Sequence, residues 1–422
     1  MKEPDPKNMV SAFGHPLSQA YIPRCRVGTV YRSMTFRIDP TSAQRKFIDA
    51  SILVNCYTYN ALLVAVKLYY EREGKLPSQT ELNRISTKMW KSCEWIHCIY
   101  QNVMNDTGKR VLHAFKSCNP DIGNKRKGEP DSPLKLPRFK KPGRYKSFGY
   151  LSNQSFAVVT YANSDGKPRR GLRIGKMEGI LRCYSQRTPL PGVPKTCTVG
   201  RRYTGDRVEY FATIRCEVDD VPEKCVDPSC RTWVGVDVGI SKVAVLSDGT
   251  VYDNPNMRKD LDDEIRELQR KLSRVAPFTP QYYKLKGRID RKYAKLVNRR
   301  KDFIEKVSKE IAEGCDTICM EGLSVKGLRS ISRSSAMTNS YNDASLGLLR
   351  RRICDKAIGA GHRVVFVDPK GTSQECSACG NTVRKGLEVR IHECPLCGLV
   401  MDRDLNSAIN ILNRGRLATP SE

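Results

Sequence analysis

The stretch V-D-P-K-G-T-S-Q-E-C-S-A-C-G, Val367–Gly380, and the later stretch H-E-C-P-L-C-G-L-V-M-D-R-D-L-N-S-A-I-N-I, His392–Ile411, decide how this chain is read. They carry two Cys-x-x-C pairs, Cys376/Cys379 and Cys394/Cys397, with 14 residues between the pairs. At that spacing two knuckles can fold over one tetrahedral zinc ion, with four thiolates as ligands. Asp404 lies seven residues beyond the last cysteine, inside a helix-forming, half-apolar run. A zinc ribbon placed just before an acid expected to be buried is an uncommon order of parts. It directs attention to other acids in apolar surroundings upstream.

Two such acids stand out. Trp233-Val-Gly-Val-Asp237-Val-Gly239 reads as an apolar strand bearing one carboxylate, turning at Gly239 and returning through Lys242–Leu246. Thr317-Ile-Cys-Met-Glu321 is a second short apolar run that ends on an acid. An isolated carboxylate in such a setting is costly to bury, and one alone would read as a salt bridge or a cap. Three in the order strand-hairpin, strand, helix match the RNase H-like fold, where the acids converge at one edge of the sheet. Oxygen ligands suit Mg²⁺ or Mn²⁺, whereas His and Cys favour zinc. Two such ions roughly 3.5–4 Å apart can activate water and stabilise the leaving oxygen of a phosphodiester. No histidine base is required, and none of the five histidines lies in an H-N-H-like context.

Between these acids the pattern is helical and then broken. Leu261, Ile265, Leu268 and Leu272 form a 4-3-4 seam, and Phe303, Val307 and Ile311 continue it on a second helix, predicting a helical hairpin. Arg329–Ser340 reads as a mobile loop. A helix over 344–360 and a strand over 363–367 lead into the decisive stretch.

The first half of the chain has another texture. Residues 1–28 read as a loose tail. Val30–Ile38 predicts a strand with Val30, Met34, Phe36 and Ile38 on one face, and Thr41-x-x-Gln44 is a capping box opening a helix. Helices continue to about Cys118, with a break near Gly74–Pro77. Residues 119–146 crowd together Pro, Gly and cations: Lys125, Arg126, Lys127, Lys135, Arg138, Lys140, Lys141, Arg144 and Lys146. Phe139, Tyr145, Phe148 and Tyr150 interleave with them. Stacking aromatics among phosphate-seeking cations predict nucleic-acid binding, with a solvated charged face as the plainer alternative. Residues 150–218 alternate as short antiparallel strands, hence a small barrel into which the helices are inserted. A linker near residues 218–232 separates this half from the second.

A formal charge of +28 over 422 residues exceeds what solubility requires and points to a polyanionic partner, a nucleic acid rather than a membrane surface. No run of 18 apolar residues predicts a membrane span, and Met1–Cys25 has no apolar core of a secretory signal. Seventeen cysteines, an odd number in a long chain, predict reduced thiols in a cytosol. Beyond the ribbon, cysteines such as Cys56, Cys183 and Cys354 read as small buried apolar side chains. Cys93, His97, Cys98 and Cys118 are spaced too irregularly to predict a second zinc site.

The motifs G-V-D-V-G-I at 235–240, M-E-G-L at 320–323, D-P-K-G-T-S-Q-E-C-S-A-C-G at 368–380 and D-R-D-L-N-S-A-I-N-I at 402–411 together resemble TnpB. TnpB proteins are the RNA-guided nucleases of bacterial and archaeal insertion sequences, related to miniature type V CRISPR effectors. F-R-I-D-P-T at 36–41 and Y-K-S-F at 145–148 agree more weakly, so the likeness spans most of the chain.

The resemblance implies an α+β multidomain protein. A wedge (OB-like) β-barrel would occupy residues 29–45 and 119–230, the latter including the basic linker, with a helical recognition insert at 46–118. An RNase H-like RuvC domain would follow at 231–371, a zinc ribbon at 372–399 and the RuvC C-terminal helix and tail at 400–422. Asp237, Glu321 and Asp404 fall on the catalytic ligands of Mg²⁺ (or Mn²⁺), with Asp402 in support and Arg403 and Asn406 orienting the helix or contacting substrate. Cys376, Cys379, Cys394 and Cys397 would hold Zn²⁺ structurally, with loading of the DNA strand as a second role. The loop at 329–340 would cover the site. The expected partners are a guide RNA and target double-stranded DNA beside a short flanking motif, with no membrane. One copy per RNA is the default and a dimer the alternative. A CRISPR-linked miniature effector, a non-catalytic zinc-ribbon DNA-binding protein and a transposase proper are the competing readings.

Overall fold

In the computed structural model the chain divides into two compact units near residue 220. The structure describes residues 30–119, 134–162, 165–184, 190–205, 207–218, 232–257, 259–322, 345–386 and 388–418. The N-terminal tail, Lys125, Arg126, Lys127 and the 329–340 loop lie outside them.

The first unit is built on one antiparallel sheet. β1 (Val30–Asp39) runs between β7 (Arg207–Val218) and β5 (Leu181–Cys183), in the order β2-β6-β7-β1-β5-β4-β3. Here β2 is Ser147–Tyr150, β3 Phe156–Ala162, β4 Pro168–Ile174 and β6 Val193–Thr204. Among the described residues β2 and β3 are edges that do not pair with each other, so what is observed is a seven-stranded sheet rather than a closed barrel. Between β1 and β2 come α1 (Ser42–Glu73), α2 (Gln79–Ser92) and α3 (Gln101–Cys118). Thr41 and Gln44 form the capping box at the start of α1, and Gly74 closes it in the left-handed region that favours glycine. Among the described residues the helices have no separate core. Ile48, Ile52 and Leu62 of α1 and Val111 and Phe115 of α3 share one apolar cluster with Phe36, Leu172 and Ile214 of the sheet.

By length and composition α1 could cross a membrane, alone among the described helices. Its buried side packs in this cluster, and Asn55 there accepts a hydrogen bond from the Thr107 hydroxyl of α3 (2.7 Å). A polar pair inside a packed interface suits a core helix.

The second unit carries a five-stranded sheet ordered β10-β9-β8-β11-β12. β8 (Trp233–Asp237), β9 (Lys242–Leu246) and β10 (Val251–Asp253) form an antiparallel meander. β11 (Thr317–Glu321) and β12 (Arg363–Val367) add on in parallel. α4 (Lys259–Ser273) pairs with the first half of α5 (Pro280–Glu313) through Leu261, Ile265 and Leu296. The second half of α5 leaves that hairpin. Its Ile304, Val307 and Ile311 pack on the sheet together with Leu349 and Ile353 of α6 (Leu346–Gly359).

The opposite sheet face is covered by α7 (Arg403–Ala418), which follows a ribbon hairpin of β13 (Ile391–Glu393) and β14 (Val400–Asp402). Two glycines let α7 approach closely. A Cβ at Gly235 of β8 would lie 2.0 Å from the Ala408 carbonyl oxygen, and one at Gly415 of α7 2.2 Å from Cys319 Sγ.

Candidate functional site

Strand register brings the acids together. Parallel pairing of Met320 with Val236 sets the C-terminal ends of β11 and β8 side by side, so Glu321 and Asp237 share one sheet edge. α7 crosses β8 at Gly235, and its first turn carries Asp404 to the same edge. Burial pushes the Asp237 carboxyl well above the usual carboxylate range, and the neighbouring Glu321 and Asp404 charges push it further, against a hydrogen bond from Ser407. Glu321 is itself buried, and burial raises it. The Thr372 hydroxyl bonded to it and the charges of Arg350 and Arg414 act the other way.

The start of α7 is built around Asp402. Its Oδ1 accepts the backbone N–H groups of Asp404 (2.9 Å) and Leu405 (3.1 Å), the bonding of an N-cap. Its Oδ2 receives Lys242 Nζ at 2.6 Å. Burial alone would raise Asp402, but these bonds outweigh it and hold its pKa below the usual value. Asp402 therefore shapes the helix end that presents Asp404. Arg403 lies 3.3 Å from Asp404 Oδ1, and Arg390 of the ribbon 3.9 Å from Oδ2. Asn406 is buried and faces the ribbon backbone.

The four ribbon cysteines meet, with every sulfur within 4.8 Å of the others. Cys376–Cys397 and Cys379–Cys394 stand at 3.6 and 3.5 Å. Tetrahedral zinc with Zn–S bonds of about 2.3 Å needs sulfurs about 3.8 Å apart, so the cluster fits that ion. In each knuckle a glycine N–H returns to the first cysteine carbonyl, Gly380 to Cys376 and Gly398 to Cys394, both at 2.9 Å. Both glycines have φ above +70°, as such a turn requires. Cys93, His97, Cys98 and Cys118 form no ligand cluster; among the described residues the ribbon is the one group of three or more that does. Of the remaining cysteines, Cys56 and Cys183 are buried as expected and Cys354 is half-buried.

The basic segment is tied down by reciprocal amide bonds. Asn60 exchanges two hydrogen bonds with the Lys140 backbone (2.9 Å each), and Asn119 does the same with Lys135 (2.9 and 2.8 Å). Arg138, Lys140, Lys141, Arg144 and Lys146 are left exposed, with Phe139 beside them at 61% exposure. Tyr145 corrects the sequence expectation. It is buried, its ring 5.9 Å from Tyr59, and it has no free face on which a base could stack. Phe148 and Tyr150 are buried too, because the two-residue period of β2 turns both toward the core.

Sequence reading missed Thr372, Ser407, Asn410 and Arg414, all of which touch the acids or the segment beside them. The available signal was the spacing of Asn406, Asn410 and Arg414, four residues apart on a predicted helix.

Residues 347–411 match the family "Cas12f1-like, TNB domain", and residues 213–332 match the family OrfB_IS605, "Probable transposase". The "Putative RNA-guided DNA endonuclease InsQ" of Escherichia coli (strain K12) is 30% identical over 66% of this chain and 68% of its own length. The chain belongs to the TnpB family. A second relative, a "Putative RNA-guided DNA endonuclease" of Streptomyces pristinaespiralis, is 27% identical over 92% of this chain and 90% of that protein. Among solved structures, CasPhi-2 (Cas12j) bound to crRNA superposes with a TM-score of 0.51 at 11% identity, over 93% of this chain and 99% of that one. That likeness concerns the fold.

Proposed function

We propose that this chain is an RNA-guided DNA endonuclease that uses a bound guide RNA to find double-stranded DNA beside a short flanking motif, and hydrolyses its phosphodiesters at Asp237, Glu321 and Asp404. The observation that carries this reading is the meeting of three carboxylates, distant in sequence, at one edge of a 3-2-1-4-5 sheet. That strand order supports an RNase H-like, RuvC-type nuclease domain, and membership of the TnpB family supports the substrate.

The residues fit Mg²⁺ or Mn²⁺. All three donors are carboxylate oxygens; burial first and then the Glu321 and Asp404 charges raise Asp237, and a divalent cation would relieve that repulsion. Bound there, such ions supply charge stabilisation to the attacking and leaving oxygens of the phosphodiester. The chain's own part is positional. β8 and β11 hold Asp237 and Glu321 side by side, the Asp402 cap holds the first turn of α7, and Ser407 and Thr372 fix the carboxylates by hydrogen bonds. Zn²⁺ in the Cys376/Cys379/Cys394/Cys397 cluster keeps the ribbon folded.

In this scheme the seven-stranded sheet of the first unit serves as the wedge, and its inserted helices as the recognition part. Arg138, Lys140, Lys141, Arg144 and Lys146 bind nucleic-acid phosphates, and the complex has one protein per RNA and works in the cytosol. The test is to sequence RNA that co-purifies with the protein. The complex is then challenged with plasmids bearing the matched target beside randomised flanks, with Mg²⁺ present. One enriched RNA and one depleted flanking motif, both cutting signals absent in Asp237→Ala, are expected. Bound RNA without cutting would reduce the protein to a guided binder, and no specific RNA would refute the proposal.

A further inference from the structure

Asn406, Asn410 and Arg414 form one stripe along α7, and all three grip the segment Asp368–Ser377 that joins β12 to the ribbon. Asn406 brackets the first zinc-site cysteine, donating to the Glu375 carbonyl (2.7 Å) and accepting from the Ser377 N–H (2.9 Å). Asn410 donates to the carbonyls of Thr372 (2.9 Å) and Glu375 (2.8 Å). Arg414 donates to those of Asp368 (2.7 Å) and Lys370 (2.8 Å) and pairs with the Glu375 carboxylate (2.6 Å).

Held by this latch, Thr372 is buried and its hydroxyl donates to Glu321 Oε1, with the Pro369 carbonyl at 3.1 Å as the other acceptor. Valine would fill the same volume without the cost of burying a hydroxyl. What threonine adds is the bond to Glu321. A carboxylate that ligates a metal is commonly oriented by such an outer hydrogen bond.

We propose that Thr372 is a positioning residue for the active site, its hydroxyl orienting the Glu321 carboxylate toward the divalent cation while the α7 stripe holds Thr372 in place. This rests on the reading of Glu321 as a ligand of that cation. The latch also ties Glu321 to the ribbon, because the stripe that anchors Thr372 anchors the backbone on both sides of Cys376 as well.

The test is Mn²⁺ binding to the zinc-loaded full chain, followed by electron paramagnetic resonance, in wild type, Thr372→Val, Thr372→Ser, Glu321→Gln and the Thr372→Val/Glu321→Gln double variant. Thr372→Val should weaken Mn²⁺ binding about 10- to 100-fold, the usual effect of removing an outer-shell partner. Thr372→Ser should stay near wild type, and Thr372→Val should add nothing once Glu321 is glutamine. In cutting assays Thr372→Val should raise the Mg²⁺ concentration for half-maximal activity, while kcat recovers at saturating Mg²⁺. Wild-type Mn²⁺ affinity in Thr372→Val would overturn the proposal, as would an equal loss in the Glu321→Gln background. Should Thr372→Val fail to fold, Asn410→Ala keeps the hydroxyl but frees its anchor. It should weaken Mn²⁺ binding in the same direction, and unchanged affinity would overturn the proposal. A wild type that binds Mn²⁺ through Glu321 yet cuts no DNA would refute the nuclease reading and leave this one standing. A wild type whose Mn²⁺ affinity is indifferent to Glu321→Gln would refute this one.

Discussion

Asp237 illustrates how function is set against stability within a single side chain. Its pKa is raised in the folded, metal-free protein, so the folded chain holds the proton more tightly than the unfolded one. Stability of the metal-free protein must then fall as pH climbs from the ordinary carboxylate range, about 4, through the raised value. Asp237→Asn removes the charge that causes this loss. At pH 8 without divalent metal its thermal midpoint should exceed that of wild type by about 2–4 °C, the shift that accompanies roughly 1 kcal/mol in a unit of this size. The gain should shrink toward pH 4, and cutting should be lost throughout. Calorimetry across pH checks the first part and a plasmid assay the second. A lower midpoint for Asp237→Asn at pH 8 would contradict this account of the site.

At the scale of elements, the close crossing of α7 over β8 is what delivers Asp404 to the sheet edge. A methyl at Gly235 would collide with the helix backbone, which cannot swing aside as a side chain tip can. Gly235→Ala should therefore cost about 1–3 kcal/mol in denaturant unfolding, the range for overpacking a core, and should reduce cutting more than RNA binding. The ribbon makes a second prediction. Cys394→Ser should lose zinc, read by metal analysis of the purified protein, and with it the hairpin that precedes α7.

Both elements were legible beforehand, but not their joints. The apolar W-V-G-V-D run, the paired Cys-x-x-C motifs and the capping box at Thr41 state local rules, and each formed where those rules put it. Thr372 meeting Glu321 depends on a segment 51 residues away in sequence, latched by a helix still further along, and no local period encodes that. The aromatics at 145, 148 and 150 failed for a related reason. Alternation marks Phe148 and Tyr150 as facing one side of β2, but only the packed α1 and α3 show that this side is the core, and Tyr145, which precedes the strand, is buried against Tyr59 of α1.

For the whole molecule, the +28 charge and the exposed row Arg138, Lys140, Lys141, Arg144 and Lys146 speak to long-range attraction for RNA. If those five side chains each neutralise a phosphate, changing all five to alanine should flatten the slope of log affinity against log salt by about 3 to 4, on the scale measured for single strands. An unchanged slope would place the RNA elsewhere on the surface. The central claim, however, is that base pairing by a bound RNA chooses where the three carboxylates cut. The most direct measurement replaces the targeting segment of the co-purified RNA with an unrelated sequence and maps cleavage on a plasmid carrying both targets beside the same flanking motif. Cutting that moves to the new target, depends on Mg²⁺ and vanishes in Asp237→Ala is the predicted result. Cutting that stays at the old target, or falls on both alike, would contradict it.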